Sequence, residues 1–166
     1  MLLLEQDRSP QPTVWVDADA CPLTEEIETL CASVGVSVQF VASYDHFSLN
    51  KSEAWTFIER GSEAVDLYIM SRVRRGDGAI TQDIGLGSVL LSKGVLVITP
   101  RGKILEEDTV DIQLAFRYEA QKMRRRGNYG KGPKKWSKDD EICFFSSFEK
   151  MLSNLAGIPG QNLETE

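Results

Sequence analysis

Short apolar stretches alternate with helical patterns between residues 14 and 99, and this alternation restricts the fold more than any other feature of the chain. The intervening segments 23–34, 63–73 and 84–92 are predicted helices. Strand after helix at this spacing predicts an α/β domain, in which a parallel sheet of about five strands is covered by helices on both faces. The predicted strands lie at 14–16, 36–42, 55–58, 79–81 and 95–99.

The C-terminal third has a different character. A predicted helix that begins near residue 112 ends in three consecutive arginines, and a basic, glycine-rich loop follows at 127–136. Ser137 and Asp140 then form a capping-box pattern at the start of a last helix. We expect one domain at 13–156, a flexible arm at 1–12 and a disordered tail at 157–166. The predicted core side of the last helix consists of Phe144, Phe145, Phe148, Met151, Leu152 and Leu155.

Composition excludes several classes of protein. The formal net charge of −6 argues against a molecule drawn as a whole to nucleic acid or anionic membranes. The apolar start of the chain is interrupted at Glu5, so it is too short for a secretory signal or a membrane span. The three cysteines form no metal-ligand spacing and His46 is the only histidine, which argues against a zinc site. We therefore expect reduced thiols in a cytoplasmic protein.

Two aspartates, Asp17 and Asp19, directly follow the first predicted strand. Pro22 suits the first turn of a helix, so both carboxylates are expected at the carboxyl end of a strand and beside a helix start. Ligands bind at that end of open parallel sheets. Two carboxylates this close repel each other unless a cation neutralises them, and the candidate cation is a divalent metal with oxygen ligands.

Two further aspartates extend this pattern, Asp83 after the fourth strand and Asp66 at the start of the helix that leads to it. If the fourth strand lies beside the first, Asp17 and Asp83 face each other. A helix N-terminus carries only about half a positive charge, so a carboxylate cluster here implies Mg²⁺ or Mn²⁺ and phosphoryl-transfer chemistry. The alternative is that these aspartates cap helices or form turns, and Asp77 is interpreted as only a turn residue.

A basic segment covers residues 117–138, where nine lysines and arginines meet a single acid, Glu119. Such a segment can attract phosphate backbones, and Tyr129 and Trp136 could stack on unpaired bases. The alternative is a solvated helix end whose cations favour the helix dipole. Arg101, at the end of the fifth strand, could hold a phosphate at the same edge. The predicted nucleic-acid-binding residues are Arg101, Arg124, Arg125, Lys131, Lys134 and Lys135.

Several motifs in order resemble the YaiI/YqxD family of bacterial proteins, which is similar to PIN-like nucleases: VDADACP at 16–22, GDGAITQD at 76–83, TPRG at 99–102 and GKGPKKWSKDD at 130–140. The resemblance implies a three-layer α/β/α fold with the sheet order 3-2-1-4-5. It also implies catalytic acids at Asp17, Asp66 and Asp83. A further acid usual in PIN nucleases has no clear counterpart here, and Asp19 is the candidate substitute.

The leading hypothesis is a nuclease acting on RNA or single-stranded nucleic acid, with Mg²⁺ or Mn²⁺ held by Asp17, Asp19, Asp66 and Asp83. A second hypothesis is a non-catalytic RNA-binding or ribosome-associated module with the same fold. A third is an Asp-x-Asp phosphatase, which is weaker because Cys21 stands where such enzymes carry a threonine.

Overall fold

A computed structural model describes residues 11–127 and 134–157. Within these residues, five strands form one sheet, and every strand pair is parallel. The spatial order is β3-β2-β1-β4-β5, which confirms the predicted α/β fold and sheet order. Most of the expected arm and tail, together with Tyr129 and Lys131, lies outside the described residues. The strands are β1 (Thr13–Asp17), β2 (Ser37–Ser43), β3 (Trp55–Ile58), β4 (Gly78–Ile80) and β5 (Leu96–Ile98).

The helices begin and end at signals that the sequence carries. Gly35 takes the left-handed conformation that ends the first helix, with φ of 72°. The Ser137–Asp140 capping box that the sequence predicts is formed at the start of the last helix. No helix in the two described ranges combines the length and apolar content needed to cross a lipid bilayer. The helices are α1 (Thr24–Val34), α2 (Ser62–Arg72), α3 (Ile84–Ser92), α4 (Glu107–Arg125) and α5 (Lys138–Leu155).

Each strand contributes side chains to both faces of the sheet, because successive side chains of a strand point to opposite sides. Val14 and Val16 pack with Ile27 of α1 and Phe144 of α5 on one face. The other face packs against α2, α3 and the start of α4. The residues predicted for the core side of α5 lie in or against the first of these clusters: Phe144, Phe145, Phe148, Met151, Leu152 and Leu155.

Asp77 is more than the turn residue that its Gly-Asp-Gly context suggests. The residue is only 5 % exposed, and its carboxylate accepts three hydrogen bonds. The donors are the backbone N–H of Thr13 at 3.0 Å, the indole N–H of Trp15 at 3.0 Å and the backbone N–H of Arg74 at 2.8 Å. Asp77 therefore ties the turn before β4 to the beginning of β1.

Candidate active site at the carboxyl end of the sheet

Three of the predicted carboxylates lie in one cleft, together with Asp19. Asp17 ends β1, Asp83 follows β4, and Asp66 comes from α2. β1 and β4 are neighbours at the centre of the sheet, at the point where the strand order reverses, so their ends meet. The cleft has a volume of about 390 Å³. Its other lining residues are Ala20, Val65, Gln82, Ile84 and Arg117.

Thr81 links the two strand ends. Its buried hydroxyl donates to Oδ2 of Asp17 at 3.1 Å and accepts from the backbone N–H of Asp83 at 3.0 Å. Burial raises the pKa of the Asp17 carboxyl above its usual value, and the Thr81 hydrogen bond partly offsets this effect. The Thr-x-Asp spacing thus positions one carboxylate through the hydroxyl and the other through the backbone.

Asp83 caps α3, as the alternative interpretation from the sequence proposes. Its Oδ1 accepts from the backbone N–H groups of Gly85 at 2.8 Å and Leu86 at 3.2 Å. The same oxygen lies 3.7 Å from Nη1 of Arg117. All of these contacts go to Oδ1, so the capping role occupies one of the two carboxylate oxygens. Capping and a role in the cleft are therefore compatible for this residue.

Asp66 is the residue whose titration the cleft changes most. It lies in the second turn of α2 rather than at the helix start, where the sequence places it. Burial, followed by the negative charges of Asp83 and Asp17 and by hydrogen bonding with the Asp83 carboxyl, raises the pKa of Asp66 to about 7. Asp66 therefore exchanges a proton near neutral pH, as a group in a cluster of carboxylates does.

The raised pKa has a consequence for stability. Between pH 3.8 and about 7 the folded chain holds the Asp66 proton and the unfolded chain does not, so stability falls as pH rises through this range. Replacing Asp66 with Asn removes the titration. We expect Asp66→Asn to raise the unfolding temperature relative to the wild type above pH 7, and to leave it nearly unchanged below pH 3.8.

Thermal unfolding across this pH range tests the expectation, with Glu59→Gln as the control because Glu59 is an exposed acid outside the cleft. A pH-independent difference between Asp66→Asn and wild type would show that Asp66 keeps an ordinary pKa.

Asp19 makes a separate set of contacts at the cleft edge. Its carboxylate accepts from the backbone N–H of Ser43 at 3.0 Å and lies 2.8 Å from Nδ1 of His46. These contacts join the 3₁₀ turn after β1 to the end of β2. The sequence offers no signal for the His46 contact, since the two residues lie 27 positions apart in the numbering.

The predicted phosphate-binding residues occupy different environments. Arg124, Arg125, Lys134 and Lys135 are exposed. The Arg101 guanidinium instead bonds to Asp140 at 2.9 Å and to the backbone oxygen of Lys134, so it joins the loop after β5 to the start of α5.

The expectation that Trp136 offers an exposed ring for base stacking is wrong. Its indole N–H donates to the backbone oxygen of Pro100 at 3.2 Å, and its ring packs against the core cluster beneath α1 and α5. The Trp136 ring packs in this way because the large apolar surface of an indole favours burial when its N–H has an acceptor.

Arg117 is the site residue that the sequence analysis did not single out from the basic segment. It lies seven residues after Val110 and three after Leu114, both of which pack toward the sheet. That helical spacing places Arg117 on the same side of α4, at the rim of the carboxylate cleft. The spacing is the signal that could have identified it.

Cys21 lies beside the cleft but lacks the properties of a nucleophile. Burial raises the pKa of its thiol to about 11, so the thiolate is scarce at neutral pH. All three cysteines are unpaired with one another.

The donor chemistry of the cleft suits a hard divalent cation. Within residues 11–127 and 134–157, no three His, Cys, Asp or Glu side chains stand close enough to form a ready chelate. Mg²⁺, however, is usually bound by one or two carboxylates and keeps several waters. The adjacent carboxyls of Asp66 and Asp83 suit an ion of this kind. They do not suit an ion that is fully enclosed by protein ligands.

Comparison with known proteins agrees with the resemblance in the motifs. The sequence model of the family described as "Uncharacterized BCR, YaiI/YqxD family" matches residues 15–154. A UPF0178 protein of Bacillus velezensis is 47% identical over 156 residues, which cover 93% of each chain. A UPF0178 protein of Bacillus pumilus is 43% identical over 87% of this chain and 89% of its own. A UPF0178 protein of Listeria monocytogenes is 40% identical over 86% of this chain and 97% of its own.

Among solved structures, none matches the chain. The family match covers most of the sequence, and it includes both strand ends that form the cleft and the whole of α2, α3 and α4. This chain belongs to the YaiI/YqxD family.

Proposed function

We propose that this chain is a metal-dependent nuclease that hydrolyses phosphodiester bonds in RNA or single-stranded nucleic acid. The observation that carries the proposal is the meeting of Asp17, Asp66 and Asp83 in one cleft, where burial, followed by the charges of the neighbouring carboxylates, raises the pKa of Asp66 to about 7. A protein gains no stability by holding carboxylates together in this way, so a cation is the natural counterpart.

Asp66 and Asp83 would hold Mg²⁺ or Mn²⁺, with Asp17 and Asp19 lining the same cleft. When bound, such an ion supplies an activated water and stabilises the leaving oxygen. The Thr81 hydroxyl keeps the Asp17 carboxylate in place, and the α3 amides do the same for Asp83. Asp66, whose pKa lies near neutrality without the ion, would release its proton in order to hold the cation, so cation binding there would be coupled to proton release.

The basic residues would bring the phosphates to this anionic cleft. Arg117 is half exposed at its rim, with 51% of the side chain accessible. Arg124 and Arg125 extend the positive charge at the end of α4, and Lys134 and Lys135 supply it in the segment before α5. We retain Lys131 in this set from the sequence alone. Arg101, because it is already bonded to Asp140, would contribute mainly by holding the backbone of Lys134 and the start of α5 in place.

Cleavage assays on the purified chain test the proposal. With Mg²⁺ or Mn²⁺ present, we expect single-stranded RNA to be cut by the wild type, and the rate to fall by about 100-fold or more in Asp17→Asn, in the range of losses for a catalytic group. Asp45→Asn is the matched control, because Asp45 is an exposed acid paired with Arg60 outside the cleft.

A generic phosphate ester assayed in parallel separates a nuclease from an Asp-x-Asp phosphatase. No response of the wild type to either metal on either substrate would refute both enzymatic hypotheses.

A non-catalytic RNA-binding module is the second candidate. It is favoured by the lack of a ready three-residue chelate among the described side chains, and by the hydrogen bonds that Asp19 and Asp83 already make within the protein. In that case RNA binding would survive EDTA and no cleavage would occur. Replacing Arg124 and Arg125 with Ala would lower the affinity for RNA and make it less sensitive to salt.

A further inference from the structure

We propose that two copies of this chain associate through α4, paired as antiparallel helices. The exposed face that carries the inference consists of Ile112, Phe116 and Met123, which are 57%, 71% and 45% exposed. Single exposed apolar residues are common on protein surfaces, but three large ones along one helix face form an apolar stripe of the kind found on interaction surfaces.

The other residues in the ranges 11–127 and 134–157 leave this stripe uncovered. α4 packs on the sheet through Val110 and Leu114. At 3.6 residues per turn, the three stripe residues project within about 40° of one another, on the side of the helix away from Val110. Arg117 lies on the Val110 side, at the cleft. Covering the stripe therefore leaves the candidate active site open.

Charge along one edge of the stripe identifies the occupant. Asp108 and Asp111 lie near the start of α4, and Lys122 and Arg126 lie at its end. All four side chains are exposed, and none forms an ion pair with another residue that the structure describes. A second copy of the same helix, running in the opposite direction, carries the complementary charges in the required order.

The positions of these charges agree with a single two-fold axis. Along the helix axis, the midpoint of Asp111 and Lys122 lies between positions 116 and 117, and that of Asp108 and Arg126 lies at position 117, so both are nearly level with Phe116. A two-fold axis there places Asp111 near Lys122 of the second copy and brings the two Phe116 rings together, as an isologous interface requires. Parallel helices would place like charges side by side. Nucleic acid would suit the basic end but not the apolar stripe or the aspartates.

The oligomeric state of the full chain tests the proposal by sedimentation velocity over a wide range of concentration. We expect a species of twice the 18.6 kDa chain mass for the wild type, and a monomer for Phe116→Glu. Ile142→Glu is the matched control, since Ile142 is 66% exposed on α5, and it should remain dimeric. Circular dichroism establishes that each variant is folded.

A wild type that stays monomeric at every concentration would overturn the proposal, and so would a dimer that persists in folded Phe116→Glu.

Charge exchange tests the antiparallel arrangement separately. We expect Asp111→Lys and Lys122→Asp each to weaken the dimer by more than about tenfold, because each places like charges together. The double variant should regain most of the wild-type affinity, since it restores opposite charges across the interface. Losses that simply add in the double variant would refute the antiparallel pairing.

Discussion

Gly102→Ala is expected to destabilise the fold by on the order of 3 kcal/mol or more, a large share of the total stability of a typical domain of about 5–15 kcal/mol. Two independent effects contribute. Gly102 has φ of 83°, which an L side chain adopts at a cost. A Cβ at this position would also lie 2.3 Å from the carbonyl carbon of Cys143 and 2.5 Å from the backbone nitrogen of Phe144.

The contact partner is what makes this glycine critical. These are backbone atoms of α5, which cannot turn aside as a flexible side chain does. Ser147 further holds the two segments together by donating its hydroxyl to the backbone oxygen of Gly102 at 2.6 Å. Relief of the clash would therefore require α5 to move away from β5, and with it Phe144 and Phe148 from the core.

Gly127→Ala separates the two effects. Gly127 has the same φ of 83°, but a Cβ there meets no atom of the described residues within 4 Å. We expect Gly127→Ala to lower the free energy of unfolding only by the conformational cost, about 1 kcal/mol. Urea denaturation of both variants gives the comparison directly. Equal losses in the two variants would show that the close approach of α5 contributes nothing.

Asp77→Ala is expected to cost about 3 kcal/mol, the second large effect. Removal of the carboxylate leaves the N–H groups of Thr13, Trp15 and Arg74 without their acceptor. Asp77 is nearly buried, so water has little access to replace the carboxylate. Unpaired donors in such a place carry the desolvation cost of each group. The turn before β4 would also lose its connection to β1, so β1 and β4 are expected to loosen together.

Asp77→Asn refines the measurement. The amide retains one acceptor oxygen, so Asp77→Asn should lose less stability than Asp77→Ala. It should lose more than Glu59→Ala, which removes an exposed acid. Denaturant unfolding ranks the three variants, and fluorescence of Trp15 reports the loss of its hydrogen bond. A ranking in which Asp77→Ala matches Glu59→Ala would contradict the structural role of the buried carboxylate.

The fold was largely predictable because its signals are local. Apolar runs, helical spacing and end signals such as Gly35 and Ser137 act through neighbouring residues, so they can be read in order. The helical pattern of α4 was equally clear, yet Ile112, Phe116 and Met123 on that helix stay exposed among the residues that the structure describes. Periodicity predicts that a helix has an apolar stripe, but it does not say what covers the stripe.

The candidate site was predictable in part. The ends of adjacent parallel strands must meet, so the placement of Asp17 and Asp83 followed from the topology that the family resemblance implied. Arg117, Thr81 and the His46–Asp19 contact depend on how distant segments approach one another. For Trp136 the sequence was misleading. Its position among basic residues suggested base stacking, but its ring packs against the core.

The sequence by itself determined the order of strands and helices, the carboxylates at the strand ends and the family to which the chain belongs. Only the tertiary structure decided which polar side chains meet: Asp66 with Asp83 in the cleft, Asp19 with His46, and Arg101 with Asp140. The reason is physical. Secondary structure follows from local spacing and backbone preference, whereas the pKa of a carboxyl and the partner of a charge depend on burial and on groups far away in the chain.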